Sequence, residues 1–512
     1  MSLKLGNTGL NKLYLGSTEI NKAYLGPTVV YSGLADQRFI ITVKTDNAGS
    51  SNNNQFTIPI QGAYSYGYNV ETSDGQIFTS QISELTITFP SAGTYDIYIS
   101  GVFPTIFFPS LGVGDNDKLI DIKQWGNNEW DYLSSSFQYC EKLTTITATD
   151  SPTLTGIIDN SLNSMFRNCL LLESLNISNW DVSGITNFSL FIFNSPLFNY
   201  SFASWDINQG TNFTNFATNN TALSIANYEA TVISWVAQAP QTGISINFGD
   251  VLYTEGSSAE TAINTLKNTY SWTIVDGGVI ASSLPLARII HEWKLNGNSN
   301  DTVGSSNGAD TSVTYAAGLV DNCAVLTSAT TSVINVGNAS TLSFGDGSSD
   351  VPFSASFAVN FSSLSPSLQR IVVKKSPTNT NWEYIISRSG NSIQGFLANN
   401  GAPSNYIAIT QSISLTASTW YHITLTYDGS SSANGLSLYV DGIYDGTGRS
   451  TVGTYTAMNT FADDLIFGRN SNNTSQSVNG SLDVIRLWDK KLTVGEARLL
   501  AIDELAGTDI NP

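Results

Sequence analysis

Two histidines in 512 residues leave little room for acid–base or metal chemistry. His291 opens "HEWKL", which begins like a zinc-protease helix, but Leu295 stands where the second histidine of H-E-x-x-H would be. His422 lies in "WYHITLTYDG", an alternating segment that makes it a packing or strand-edge residue before it makes it the base of a Ser-His-Asp arrangement. Retaining glycoside hydrolysis needs two carboxylates about 5 Å apart, commonly spaced Glu-x-Asp-x-x-Glu along one strand. That pattern does not occur. "GVGDND" at 112–117 is too short for a phosphate loop, and its acids would repel phosphate. Cys140, Cys169 and Cys323 are too few and too scattered for a disulfide framework or a zinc site, and read as small buried hydrophobes. The expectation is a chain without catalysis.

The elements that carry these residues are mainly β. Charged residues make up only 12% and aromatics 11%, with Ser, Thr, Asn and Gly filling the segments between apolar runs. With 41 acidic against 22 basic residues the formal charge is −19, which opposes binding to nucleic acid or anionic lipid. Lys374-Lys375 and Lys490-Lys491 are the basic pairs, expected on solvated strand edges. No stretch approaches the roughly 20 apolar residues of a membrane span, and the N-terminus lacks the basic-then-apolar run of a signal peptide. Length alone suggests three or four units.

Residues 3 to 32 repeat one decapeptide three times, superposing Leu5-Gly6, Leu15-Gly16 and Leu25-Gly26, then Thr8, Thr18 and Thr28. Apolar positions separated by Gly-x-Thr predict short strands and tight turns. Ten residues per step enclose no core, so the ladder must be ordered by its own copies or by another protein, unless it is an ordinary hairpin capping the next domain. It resembles the "YLGST-x-I-x-K-x-YLG" N-terminal segments of bacteriophage virion proteins. That resemblance implies virion attachment through Leu5, Gly6, Leu15, Gly16, Leu25 and Gly26.

Residues 34–117 alternate as sandwich strands, "FPSAGTYDIYISG" most clearly. They resemble polycystic-kidney-type immunoglobulin-like modules, although "VETSDG" replaces the usual Trp-Gly-Asp-Gly. Residues 118–282 form the next unit, and from about 118 to 220 they carry a period of 25: Trp180-Asp181 and Trp205-Asp206, Asn187-Phe188 and Asn212-Phe213, and Phe166, Phe191 and Phe216. Phe137 with Cys140 is a looser copy of Phe166 with Cys169, displaced by 29. Such a period means stacked coils with ladders of large residues inside, and favours a core role for the tryptophans over sugar stacking. "MFRNCLLLESLNISNWDVSGITNF" resembles the leucine-rich-repeat-like BspA family of bacterial surface proteins. Ile225, Tyr228, Val232 and Trp235 at helical spacing, and Ser257-x-x-Glu260 as a capping box, predict a helical C-terminal cap.

Residues 283–512 combine "HEWKLNGNSNDTVGSSNG", "WYHITLTYDG", the hairpin "LSLYVDGIYDG", "LIFGRN" and "GSLDVIRLWDKKLT". Together these resemble the laminin-G/concanavalin-A-like lectin sandwich, a jelly roll, with Ala358 where that family commonly has Trp. The resemblance implies a calcium ion beside Asp301 and Asp483; read as residues alone, Asp301 is equally a turn residue and Asp483 a strand-edge cap. Glycan contact is expected in the loops around Trp382, Tyr406, Asn470 and Asn473, where aromatic faces and amides meet sugar hydroxyls. The resemblances together imply a non-enzymatic bacteriophage structural protein at the virion surface, released by lysis. It would be a head fibre, capsid decoration or tail appendage. Its partners would be other virion proteins, copies of itself in a homo-oligomer and host cell-surface glycan. A BspA-like bacterial adhesin is the alternative.

Overall fold

The computed structural model describes residues 37–108, 114–327, 332–376, 381–399, 404–444, 448–470 and 474–511, with the backbone of six short strands between Lys4 and Ser32. The chain is mainly β and forms two compact units, Met1–Gly278 and Val279–Pro512.

In the first unit the ladder forms three successive antiparallel pairs: Leu5 opposite Thr8, Leu15 opposite Thr18, and Leu25 opposite Thr28. Gly6, Gly16 and Gly26, and the side chains of the ladder leucines, lie outside the described residues. A sheet then runs in the order Ile77–Gln81, Gly67–Thr72, Thr94–Val102, Phe39–Lys44. A two-stranded sheet, Gln55–Ile58 with Leu85–Thr88, completes the sandwich. Alternate side chains from both sheets (Ile41, Val43, Phe56, Ile58, Val70, Ile87, Ile97 and Ile99) are buried, as period-2 patterning requires.

The division expected at 117/118 falls inside a continuous sheet. Leu119–Gln124 pairs antiparallel with Phe39–Lys44 and, through Asp121 and Thr145, parallel with Thr145–Ile146, which in turn pairs with Ser174–Leu175. The turn before it is anchored by buried charge. The Asp115 carboxylate accepts Ser51 N–H at 3.0 Å and Thr57 N–H at 2.7 Å, while Lys118 Nζ donates to the carbonyls of Ser51, Asn52 and Gln55.

Beyond it the coils stack in register. Ser161, Asn187 and Asn212 bridge in parallel, and the N–H groups of Ser164, Phe166 and Asn168 donate to the carbonyls of Ser189, Phe191 and Phe193 in the next coil. Phe137, Phe166, Phe191 and Phe216 follow one another at 5.5, 5.6 and 5.9 Å between ring centroids. Trp180 and Trp205 stack at 6.4 Å and are buried, so the repeated tryptophans are core rungs and not a sugar platform. A pair of positive-φ residues four apart recurs from coil to coil: Ser135 and Tyr139, Ser164 and Asn168, Leu190 and Asn194, Asn215 and Asn219. Asn recurs there because its short polar side chain tolerates the left-handed region.

The solenoid ends on α1 (Ile225–Ala237), capped by Ser224 and burying Tyr228, Val232 and Trp235, and on α2 (Ser258–Asn268). Ser257 caps α2 by accepting Glu260 N–H, but the Glu260 carboxylate returns to Gly256 N–H, one residue short of a full capping box.

The second unit is a sandwich of two eight-stranded sheets. One sheet centres on Gly480–Trp488, flanked by Phe353–Phe361 and, on its other edge, Ile289–Trp293 and Asn322–Leu326. The other runs Ala309–Thr311, Val333–Gly337, Leu465–Phe467, Leu368–Lys375, Trp382–Ser389, Ser392–Ala398, Tyr406–Ser412, Arg449–Val452. Trp293, Phe353, Phe357, Tyr384, Tyr427, Leu438 and Leu487 fill the space between them. A third helix, α3 (Val494–Leu505), opens on a complete Thr493/Glu496 capping box.

Beneath α3 lies a buried charge network. Arg486 Nε bonds Glu292 Oε1 at 2.7 Å, its Nη1 bonds Glu504 Oε1, and its Nη2 donates to the Ile510 carbonyl at 3.0 Å. His422 Nε2 is 3.1 Å from Glu504 Oε2 without the angle of a hydrogen bond. Burial, and then Arg486, hold the imidazole down at about 3, so His422 is a neutral packing residue.

One expectation about charge is overturned. Lys374 and Lys375 are buried rather than on a solvated edge, Lys374 because Asn338 and the Asp463 carbonyl accept from its ammonium at 2.7 Å each. Lys490 and Lys491 are partly exposed and pair with Glu496 and Asp428.

Candidate functional site

Strand alternation gives the second sheet two apolar faces. Val372, Tyr384, Ile386, Leu397 and Ile407 join the sandwich core, while Val333, Val373, Ile385 and Ile466 form a separate cluster flanked by Trp382 and Phe396. Beside that cluster is a cleft of about 260 Å³, lined by Val333, Asn335, Lys375, Ala462, Asp463, Asp464, Ile466 and Arg469.

Its polar groups are partly pre-arranged. Asn335 Nδ2 donates to Asp464 Oδ2 at 2.8 Å, and Asn381 Nδ2 to Asp463 Oδ2 at 3.4 Å. The Lys375 ammonium stands 5.1 Å from the centre of the Trp382 ring; burial, and then Arg370, bring it down to about 8. Three buried atoms around this region, Arg469 Nε, Trp382 Nε1 and Asn470 Oδ1, have no hydrogen-bond partner. Buried polar groups are ordinarily satisfied, and these three are closed to solvent, so the groups a hydroxyl-rich ligand could meet are the carboxylates, amide and ammonium that line the cleft.

The structure therefore brings Trp382 to the cleft through Lys375, and places Asn470 next to the lining residue Arg469. Asn470 Nδ2 is taken by Gln476 Oε1 at 2.8 Å. Tyr406 stands apart from the lining, packed edge-on against Phe396 at 5.7 Å. Asn473 lies outside the described residues. Sequence reasoning missed Asn335, Lys375, Asp463, Asp464 and Arg469. The Asp463-Asp464 pair directly before "LIFGRN" was a readable signal, but the strands that bring it to Lys375 were not.

Asp301 and Asp483 do not form the expected calcium cradle. Asp301 accepts the N–H groups of Glu292 (3.1 Å), Gly304 (2.8 Å) and Ser306 (2.9 Å), and lies 2.6 Å from His291 Nδ1. Burial raises its carboxyl, but the His291 contact and these amides outweigh that and hold it at about 2. Asp483 accepts Leu319 and Val320 N–H at 2.8 and 3.0 Å and Val484 N–H at 3.0 Å; burial still pushes it up to about 6. The donors around each occupy the lone pairs a hard cation would need, and the two sets share no member. Among the described residues no group of three or more His, Cys, Asp or Glu side chains could hold a metal ion. Asp301 and Asp483 instead pin the loops at 302–306 and 319–320. The three cysteines are buried and free.

Comparison with known proteins supports two of the regions. Residues 336–498 match the model of the concanavalin A-like lectin/glucanases superfamily, so this part of the chain is lectin-like. Residues 160–238 match the model described as Mycoplasma protein of unknown function, the BspA-like region. No curated protein matches the chain in sequence. Among solved structures, domain 4 of an extracellular arabinanase from Geobacillus stearothermophilus, in complex with arabinotriose, is 18% identical at a TM-score of 0.31, over 42% of this chain and 98% of that one. The binding domain of Paraclostridial Mosquitocidal Protein 1 is 16% identical at a TM-score of 0.34, over 42% and 51%. Trypanosoma rangeli sialidase in complex with sialic acid is 15% identical at 0.32, over 45% and 35%. The chain thus spans about half or less of the latter two.

Proposed function

We propose that this chain is a non-enzymatic bacteriophage structural protein, borne on the virion as a head fibre, capsid decoration or tail appendage, that meets host-surface glycan through its C-terminal sandwich. The observation that carries the glycan reading is the cleft lined by Asn335, Lys375, Asp463, Asp464 and Arg469, all but Asn335 within residues 336–498 that match the lectin superfamily model. The attachment reading rests on the decapeptide ladder. Strands of two to five residues, ten residues to a step, are too short to be stable alone and call for a partner surface or sister copies. In this reading the ladder binds other virion proteins and joins copies of the chain in a homo-oligomer. The charge of −19 keeps the exposed modules off nucleic acid and anionic lipid.

A second reading, a BspA-like adhesin of a bacterial surface, is favoured by the match over residues 160–238. Immunogold electron microscopy of lysates and intact cells, with antibodies against residues 284–512, separates the two. Gold on phage particles supports the virion reading, and gold confined to cell envelopes replaces it with the adhesin. Glycan-array binding by the purified chain, lost in Arg469→Ala and Trp382→Ala, tests the cleft; binding that survives both substitutions removes it.

A further inference from the structure

Lys374 and Glu383 face each other in an interior site, both side chains almost wholly excluded from solvent, with Lys374 Nζ 3.5 Å from Glu383 Oε1. The same Nζ donates to Asn338 Oδ1 at 2.7 Å, which holds it within van der Waals reach of the Asn338 side-chain carbonyl carbon. Glu383 Oε1 also accepts Phe461 N–H at 2.9 Å, and the Ser343 hydroxyl lies beside the same carboxyl group. An amine, a carboxamide and a carboxyl group thus converge, the amine and carboxyl group buried and the carboxamide on an exposed residue. The Asp463 carbonyl accepts the remaining Nζ donor at 2.7 Å and fixes the nitrogen in place beside Asn338.

We propose that Lys374 and Asn338 join through a side-chain amide, an isopeptide bond that the folded chain makes on itself with Glu383 as proton carrier. The neutral Lys374 amine attacks Asn338 Cγ and the Nζ–Cγ bond forms. Glu383 takes a proton from Nζ and passes one to Nδ2, the Cγ–Nδ2 bond breaks, and ammonia leaves. One amide replaces another, so no oxidant, reductant or cofactor is required. Asn338 is an exposed residue, which gives the ammonia a way out.

The electrostatics favour each part. Burial lowers the Lys374 ammonium from its ordinary value, against the opposing pull of Glu383, and so favours the nucleophilic free amine. Burial pushes the Glu383 carboxyl up to about 7, against the pull of Lys374, where one group can both give and accept a proton near neutral pH. The link would also be placed to bear load. Asn338 directly follows Val333–Gly337 and Lys374 lies in Leu368–Lys375, while Leu465–Phe467 pairs with both strands. The bond would span that middle strand. It stands on its own, independent of glycan binding or of a place on a virion.

Mass spectrometry of the purified full-length chain tests the bond directly. The expected intact mass is below the sequence mass by one ammonia, and a protease digest should contain a branched peptide carrying both residue 338 and residue 374. Lys374→Arg and Glu383→Gln should each restore the full mass and separate the two peptides. Wild-type protein at full mass overturns the proposal. So does an ammonia loss that maps elsewhere, such as a succinimide, with residues 338 and 374 on separate linear peptides. Both of these results are read on the wild-type chain, so neither depends on a variant folding.

Discussion

Replacing Arg486 with Met tests whether the buried charge network holds the C-terminal sandwich closed. Arg486 is fully buried between Glu292 and Glu504 and also ties the Ile510 carbonyl. Met fills much of the volume but leaves two carboxylates without a counter-charge, and His422, held at about 3, supplies no replacement. Removing one partner of a buried pair costs about 3–5 kcal/mol. Against a usual domain stability of about 5–15 kcal/mol, that brings this unit close to unfolding. Urea denaturation, with hydrogen exchange in Gly480–Trp488 as the local reporter, reads the loss directly. The sign of its pH dependence follows from linkage: uncompensated buried carboxylates bind protons more tightly folded than unfolded, so the deficit at pH 7 should narrow towards pH 5. Adding Glu504→Gln to the variant should recover part of the loss, because one stranded charge disappears. A deficit below about 1 kcal/mol, or one that does not change with pH, would refute the reasoning, since the first marks a weak surface pair and the second simple loss of packing.

Phe191→Ala removes the rung between Phe166 and Phe216 and should cost about 3–5 kcal/mol by equilibrium unfolding, a core truncation with its aromatic neighbours left behind. Asp301→Ala leaves His291 and the amides of Glu292, Val303, Gly304 and Ser306 without their acceptor and should raise hydrogen exchange at 302–306. In the wild type the Asp301 carboxyl, held at about 2, contributes stability that is complete above its ordinary range near pH 4 and is lost as pH falls towards 2; a comparison of acid unfolding between wild type and variant checks this. Deleting residues 1–33 should release the chain from particles, seen as loss from purified virions by immunoblot, while circular dichroism of the remainder stays unchanged.

What the sequence made legible was whatever repeats or alternates. The period of 25 identified the solenoid because each coil puts the same ring in the same place, so Phe166, Phe191 and Phe216 report one another. Ser257 was readable as a helix start because a cap is a local device. The Thr493-x-x-Glu496 box was equally local, and attention to it would have found α3. Contacts made by backbone or across distant strands were hidden. Asp301 and Asp483 looked like cation ligands because their partners are amide N–H groups, which every residue except proline possesses. Lys374-Lys375 looked solvated because Asn338 and the Asp463 carbonyl, 36 and 89 residues away, satisfy Lys374 from the ends of other strands. The cleft has the same origin: Asn335, Lys375 and Asp464 become neighbours only when three strands align.

The sheet that continues through Leu119–Gln124 has a consequence for how such chains recombine. Cutting at 117 would expose the unpaired edge of Phe39–Lys44 and remove the strand on which the first coil is laid, and an open edge invites pairing with other chains. The immunoglobulin-like and repeat segments should therefore travel through evolution, and through protein engineering, as one inherited cassette. Viable chimaeras would be joined before residue 37 or after the helical cap.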